Sequence, residues 1–238
     1  VIVQRGETIF REGEMSDGMF IILRGEVTVR VVDDVGQMGT LAALNEGQFF
    51  GEFALLGSPL RTAHVEAVTR VELLDVDAEV YELLTERSAL FRDAIHTSWG
   101  LRERQNIVAR ISVLSGLPDD GRDRVIVALE RAPVQARELV VRRGDTTDRI
   151  CILCRGSLEV YTRDEDGQKQ ALRQLRGGRL LVDPAVLSGD TYRVHARALE
   201  PCVIFWLSRE LLLELVGDTP DRLSALQNFF GATASGER

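Results

Sequence analysis

The chain of 238 residues is poor in cysteine, short of basic charge and free of long apolar runs, and each shortage removes a class of function. Its three cysteines, Cys151, Cys154 and Cys202, cannot pair completely and are too few for a disulfide scaffold, so a reduced, cytoplasmic setting is expected. Lys and Arg number 29 against 37 Asp and Glu, a formal net charge of -8, which leaves no broadly basic face and argues against a nucleic-acid partner. No apolar run is long enough to span a bilayer and no secretory pattern opens the chain, so direct membrane insertion is not expected. A place in the cytoplasmic part of a membrane protein stays open. No nucleophile–base pair, metal-ligand spacing or phosphate loop is visible, so no catalytic residue, metal ligand or cofactor is assigned. Cys151 and Cys154 spell C-x-x-C, yet ICILC reads as a buried strand whose side chains three apart face opposite ways, and no second Cys/His pair completes a zinc site.

What is present is 45% hydrophobic and 28% charged residues, enough apolar material for a core in a globular chain. The chain opens in VIVQRGETIF, a strand pattern without Met, which predicts a segment cut from a longer protein.

An internal repeat organises the whole. GEMSDGMFIILRGEVTV at 13–29 matches GDTTDRICILCRGSLEV at 144–160, with Gly13 over Gly144, Asp17 over Asp148 and Arg24-Gly25 over Arg155-Gly156. The same offset of 131 residues carries Phe50 onto Leu181, Ala67 onto Ala198 and Glu79 onto Glu210 without a gap. Two tandem copies, 1–115 and 116–238, are therefore expected. Each reads as short β-branched strands punctuated by Gly turns, the pattern of a small antiparallel barrel or jelly roll followed by helices. Asp77 is placed to cap a helical stretch that runs in two pieces as far as Gly116 and Pro118. Leu101, Ile107, Val108, Ile111 and Leu114 form an apolar stripe there, read as packing against its own domain, with a homodimer seam as the alternative. SGLPDDGRDRVIVALERA at 115–132 predicts a helix leading into the second copy; the first lacks its counterpart. SRELLLELVGDTPDRLSALQNFFG predicts a closing helix, and GATASGER a disordered tail.

The informative stretch is FGEFALLGSPLRTAHVEA, 50–67. It reads as a strand end, a helical turn at Glu52–Leu56, a turn at Gly57-Ser58-Pro59, and a strand. Gly51 has no Cβ, which permits close approach of a ligand to the backbone. The amides that open a helical turn lack internal partners and suit an anion. Arg61 supplies a forked, charged donor set for a phosphate. Glu52 suits hydroxyl groups such as a ribose 2′-OH. One acid for sugar and one arginine for phosphate around an amide cradle predict a nucleotide monophosphate site; a purely structural Arg61–Glu52 pair is the competing reading. His64 is read as structural.

These residues, F-G-E-x-A-L-x-x-x-x-x-R-T-A-x-V-x-A, together with the upstream G-E-x-x-D-x-M-F-I-I-L-x-G-E-V, resemble the phosphate-binding cassette and opening strands of the cyclic nucleotide-binding domain family. That family includes the cAMP receptor protein, the regulatory domains of protein kinases A and G, and cyclic-nucleotide-gated channels. The resemblance covers nearly all of both copies. It implies a mainly β fold with helices: two tandem β-barrel domains, the first binding cAMP or cGMP. By the same resemblance Glu52 meets the ribose 2′-OH, Arg61 the cyclic phosphate, and Gly51, Phe53, Ala54, Thr62 and Ala63 complete the cassette, with Thr62 touching phosphate or a guanine amino group. Phe91, Ile95 and Trp99 are candidates for a lid on the purine, against a role in packing. The expected protein is a sensor that signals through its helices to an output domain in the same parent chain.

The second copy departs from the cassette: Val182 stands over Gly51, Asp183 over Glu52, Pro184 over Phe53 and Tyr192 over Arg61. A branched Cβ, a shorter acid, a lost amide and a lost cation each weaken a phosphate site. Arg193 is one residue away, on the opposite face of a regular strand. The second copy is expected to be a degenerate structural or interaction module.

Overall fold

The computed structural model describes all residues except 58, 182, 218–223, 225 and 227–238. The chain divides into two compact units, Val1–Ala109 and Arg110–Arg238. In the first, β1 (Ile2–Val3), β2 (Thr8–Phe10), β3 (Gly18–Arg24), β4 (Val27–Val32), β5 (Met38–Leu44), β6 (Phe49–Phe50), α1 (Phe53–Leu56), β7 (His64–Ala67) and β8 (Val71–Asp77) lead to the helices α2 (Ala78–Arg87) and α3 (Ala89–Arg110). The strands make two four-stranded antiparallel sheets, β1-β8-β3-β6 and β2-β7-β4-β5. Ile22, Val71 and Leu73 of one meet Val27, Val65 and Ala67 of the other in a common core. This is a jelly-roll arrangement; among the described residues the ladders do not close into a continuous barrel.

The second unit repeats the plan. After α4 (Ser112–Ser115) and α5 (Asp119–Ala128) come β9 (Glu130–Val134), β10 (Leu139–Val141), β11 (Arg149–Arg155), β12 (Ser157–Arg163), β13 (Lys169–Arg176), β14 (Arg179–Leu180), α6 (Ala185–Ser188), β15 (His195–Ala198), β16 (Cys202–Ser208) and α7 (Arg209–Gly217). Its sheets are β14-β11-β16-β9 and β10-β15-β12-β13. Register is kept as well as order. Arg30 faces His64 as Tyr161 faces His195, and the bulge at Val29/Arg30 recurs at Val160/Tyr161. A one-residue slip would turn a core face outward, so equal register means equal inward sets in the two units.

The helices differ in detail from the expectation. Asp77 does cap α2, its side chain accepting from the Val80 amide at 2.8 Å. The stretch that follows is three pieces, not two, because Ile111 is extended between α3 and α4. The helix expected over 115–132 is confined to Asp119–Ala128: Pro118 opens it, and Glu130–Val134 is drawn into a ladder with Cys202–Trp206. Tertiary pairing there overrides a local helical pattern. Of the apolar stripe, Ile107, Val108, Ile111 and Leu114 are buried, whereas Leu101 is 49% exposed. The C-terminal helix is described as far as Gly217; most of the rest of that expected helix, and all of the tail, lie outside the described residues. Cys151 sits in β11 fully buried, which pushes its thiol above the ordinary value. Among the described residues no helix is long and apolar enough to cross a membrane.

Candidate functional site

The cassette residues converge because β6, α1 and β7 bracket the mouth of the first jelly roll. Gly51, Glu52, Phe53, Ala54, Arg61, Thr62 and Ala63 all line one cavity of about 400 Å³ within the first unit. That size falls in the range of small-molecule sites. Its floor is apolar, from Val29, Ala42, Leu44 and Val65, with Phe10 and Phe50 beside them. The polar groups come from the cassette and from α3.

Arg61 is 7% exposed. Its Nη1 donates to the Gly18 carbonyl at 2.7 Å and the Gly51 carbonyl at 3.1 Å. The guanidinium lies 4.1 Å from the Phe10 ring centroid and 5.6 Å from that of Phe20. Among the described residues neither Nη2 nor Nε has a hydrogen-bond partner, so part of the fork is free for a phosphate. Burial lowers its pKa, opposed by Asp75, Glu14, Asp17 and Glu52, and a guanidinium so far from neutral pH stays charged.

Gly51 has φ +87°, and a Cβ built there would lie 2.5 Å from Arg61 Nη1. The absent side chain makes room for the arginine itself, where the sequence suggested room for a ligand. The amide cradle is also less open than expected: Ala54 N–H donates to Gly51 at 3.2 Å, and those of Leu55 and Leu56 to Glu52 at 3.0 and 3.1 Å. Ser58 of the turn lies outside the described residues.

Glu52 is 1% exposed and does not pair with Arg61. Its Oε1 accepts from Arg102 Nη1 at 3.0 Å, and the same nitrogen donates to the Phe49 carbonyl at 2.7 Å. Arg102 comes from α3. Burial raises the Glu52 pKa, with Arg102 the largest opposing influence. Nearby, Asn106 Nδ2 donates to the Thr62 carbonyl at 3.3 Å, so α3 holds the cassette at both ends.

The sequence reading missed this helix face. Ser98, Leu101, Arg102, Gln105 and Asn106 all line the cavity, at spacings of three and four residues. That periodicity was the available signal, and Leu101 belongs to it, not to the buried stripe. The three lid candidates do not line the cavity. Ile95 is buried with Met19, Val76 and Tyr81, Phe91 sits against Tyr81, and the Trp99 ring meets Phe53 at 6.4 Å. All three make packing contacts here, Trp99 against a residue that itself lines the cavity.

In the second unit the matching positions are satisfied from within. Tyr192, in place of Arg61, donates its hydroxyl to the Arg149 carbonyl at 2.7 Å. Arg149 stands at the position of Gly18, so the tyrosine keeps one of the two backbone bonds that Arg61 makes. Asp183, 1% exposed, accepts from the amides of Ala185 at 3.0 Å and Arg193 at 2.7 Å. The Arg193 side chain is exposed and 3.8 Å from Asp190, away from the cassette position. Arg173 stands where Ala42 lines the first cavity, half-buried; burial lowers its pKa and Asp183 opposes this. Val182 lies outside the described residues.

A family model for the cyclic nucleotide-binding domain matches residues 1–88 and again 131–219. A cGMP-dependent protein kinase of Caenorhabditis briggsae, egl-4, is 26% identical over 216 residues, covering 90% of this chain and 27% of the kinase. The cAMP-dependent protein kinase regulatory subunit of Blastocladiella emersonii is 26% identical over 219 residues, covering 92% of this chain and 52% of the subunit. The chain thus spans between about a quarter and half the length of these relatives. Among solved structures, the regulatory domain of Toxoplasma gondii PKA with cAMP is similar in fold, with a TM-score of 0.51, 19% identity and coverage of 99% of this chain and 85% of that one. The matching family model is that of a binding domain, and the Blastocladiella relative is a regulatory subunit.

Proposed function

The chain belongs to the cyclic nucleotide-binding domain family, and we propose that its first unit is a working cyclic-nucleotide sensor while its second unit is a degenerate module that keeps the fold. In this reading the cyclic phosphate lies against Arg61, the ribose 2′-OH bonds to Glu52, and the base lies between the apolar floor of β5 and the α3 face. Gly51, Phe53, Ala54, Thr62 and Ala63 shape the phosphate end. The observation that carries the reading is one cavity holding a buried acid, a buried arginine with part of its fork free, and an apolar floor.

Ligand-free, Glu52 is held by Arg102. A ribose hydroxyl that hydrogen-bonds to the same carboxylate changes the environment of Arg102 and so the position of α3. A ligand shifts such an equilibrium only by its differential affinity for the two arrangements, and a contact shared with a helix supplies it. The signal then passes through α3 to an output domain in the parent protein, in a cytoplasmic setting. cAMP is the default ligand; Thr62, beside the arginine, and the cGMP-dependent kinases among the relatives keep cGMP in the test. Calorimetric titration of both nucleotides into the wild type and Arg61→Ala decides it. The wild type is expected to bind one of them, with affinity falling on the order of a hundredfold in the variant, about 3 kcal/mol. No binding by the wild type leaves a structural tandem as the correct reading.

A further inference from the structure

The outer face of the β10-β15-β12-β13 sheet in the second unit differs sharply from its counterpart in the first. Seven matched positions tell the difference. Gly6, Arg11, Glu12, Arg30, Val32, Met38 and Glu66 carry two bases and two acids; the residues over them are Arg137, Arg142, Arg143, Tyr161, Arg163, Lys169 and Arg197, six of them basic, while one acid, Glu159 over Thr28, is gained. In the first unit Arg30 pairs with Glu66 at 4.0 Å, and the His64 ring lies 3.9 Å from the Glu12 carboxylate. In the second the pairing is partial, with Glu159 set against Lys169 and beside Arg197. Register places Arg197 opposite Glu159, His195 opposite Tyr161 and Lys169 opposite Arg163. The Tyr161 ring is buried beneath them, stacked on His195 at 5.0 Å, with the Lys169 nitrogen 4.7 Å and the Arg163 and Arg197 guanidinium carbons 5.9 Å from its centroid. Glu159 is bonded to Lys169, and Arg163 donates to the Gly167 carbonyl at 2.7 Å. Among the described residues, the side chains of Arg137, Arg142, Arg143 and Arg197 have no carboxylate partner within ion-pair distance. Burial lowers the His195 pKa, as do Arg163, Arg143 and Arg142, with Asp145 opposing them.

A second, independent observation lies at the end of the same sheet. Arg137 has φ +70° in the turn before β10, with its amide bonded to the Ala198 carbonyl at 2.8 Å. The first unit has Gly6 at this position with φ +83°. A non-glycine residue is strained in this region, so an arginine there keeps a charge at the sheet end at the expense of backbone comfort.

We propose that this face is a docking surface for an acidic polypeptide segment. Arginine forks and a lysine spread over a pleated sheet suit discrete carboxylates. A single-stranded nucleic acid needs exposed aromatic rings to stack on, and Tyr161 is buried. A long polyanion or anionic membrane also meets the repulsion of a chain with net charge -8, which a short acidic segment largely avoids.

The test uses fluorescence anisotropy with fluorescein-labelled octaglutamate, and octaglutamine as the neutral control. The whole chain is expected to bind octaglutamate alone, with affinity falling about tenfold between about 50 and 200 mM salt. Reversing Arg142, Arg143, Arg163 and Lys169 to Glu, all exposed, is expected to weaken binding at least about tenfold, whereas Arg11→Glu with Arg30→Glu leaves it within about twofold. Circular dichroism checks the fold; if the reversal unfolds the unit, replacing the same four by Gln carries the test. The proposal is overturned by absence of binding at low salt, by equal binding in the reversed variant, or by tighter binding of transfer RNA or phosphatidylserine vesicles than of the peptide.

Discussion

The two cassettes share a register, a helical turn and a buried acid, yet the partners of that acid differ. In the first unit Glu52 reaches fifty positions along the chain to Arg102, on a helix that also lines the cavity. In the second, Asp183 turns back on its own loop and bonds two backbone amides. The shorter side chain serves local structure, and the longer one connects the site to a separate element. The position of Arg61 gives the same lesson. Tyr192 retains the backbone bond and gives up the charge, so of the two tasks proposed for this position, closing the loop and gripping an anion, the second unit keeps the means for the first alone.

The comparison can be broken by moving residues between the copies. Arg61→Tyr is expected to weaken nucleotide binding on the order of a hundredfold, a loss of about 3 kcal/mol in calorimetry, while the hydroxyl keeps the Gly18 bond. Its unfolding midpoint should therefore fall less than that of Arg61→Ala. Ala42→Arg, which copies Arg173 into the first cavity, should weaken binding as much without touching the phosphate end. A smaller effect is expected for Arg102→Ala. It leaves Glu52 buried without its cation, and urea unfolding of the first unit should show a loss of about 2 kcal/mol. Tyr192→Phe removes one neutral hydrogen bond, expected to lower the stability of the second unit by about 1 kcal/mol with nucleotide affinity unchanged.

The smallest effect is a dependence on pH. Burial holds the Glu52 carboxyl above its ordinary value of 4.5, so the folded state binds its proton more tightly than the unfolded chain. The resulting stabilisation is fully present below 4.5 and is lost as pH rises through the raised value. Compared with Glu52→Gln, the wild type should be relatively most stable at the acid end of a series from about pH 4 to pH 7. A flat difference would mean that Arg102 compensates the burial fully.

Much was legible because the information is local or repeated. Gly51, Glu52 and Arg61 lie within eleven positions of one another, and the second copy supplied a built-in control for each. Strand alternation and Gly turns marked the jelly rolls for the same reason. Less legible was whatever depends on distant pairing. The pattern at 115–132 is helical by itself, and only the ladder with β16 converts its end to a strand. Leu101 joins either of two helical stripes, and the sequence has no means of saying which one faces the cavity.

The sequence by itself determined that there are two copies of one domain, which of them holds an acid and an arginine in the cassette, and that the other has replaced the arginine. These follow from residue identity at fixed spacing, where chain connectivity already enforces proximity. Tertiary structure alone decided that Gly51 makes room for Arg61, that Arg102 is the partner of Glu52, that Arg173 stands where Ala42 lines the first cavity, and that Arg163, Lys169 and Arg197 gather around Tyr161. Those relations join residues tens of positions apart, and for such pairs only the folded backbone sets which side chains come within hydrogen-bonding or Coulombic reach.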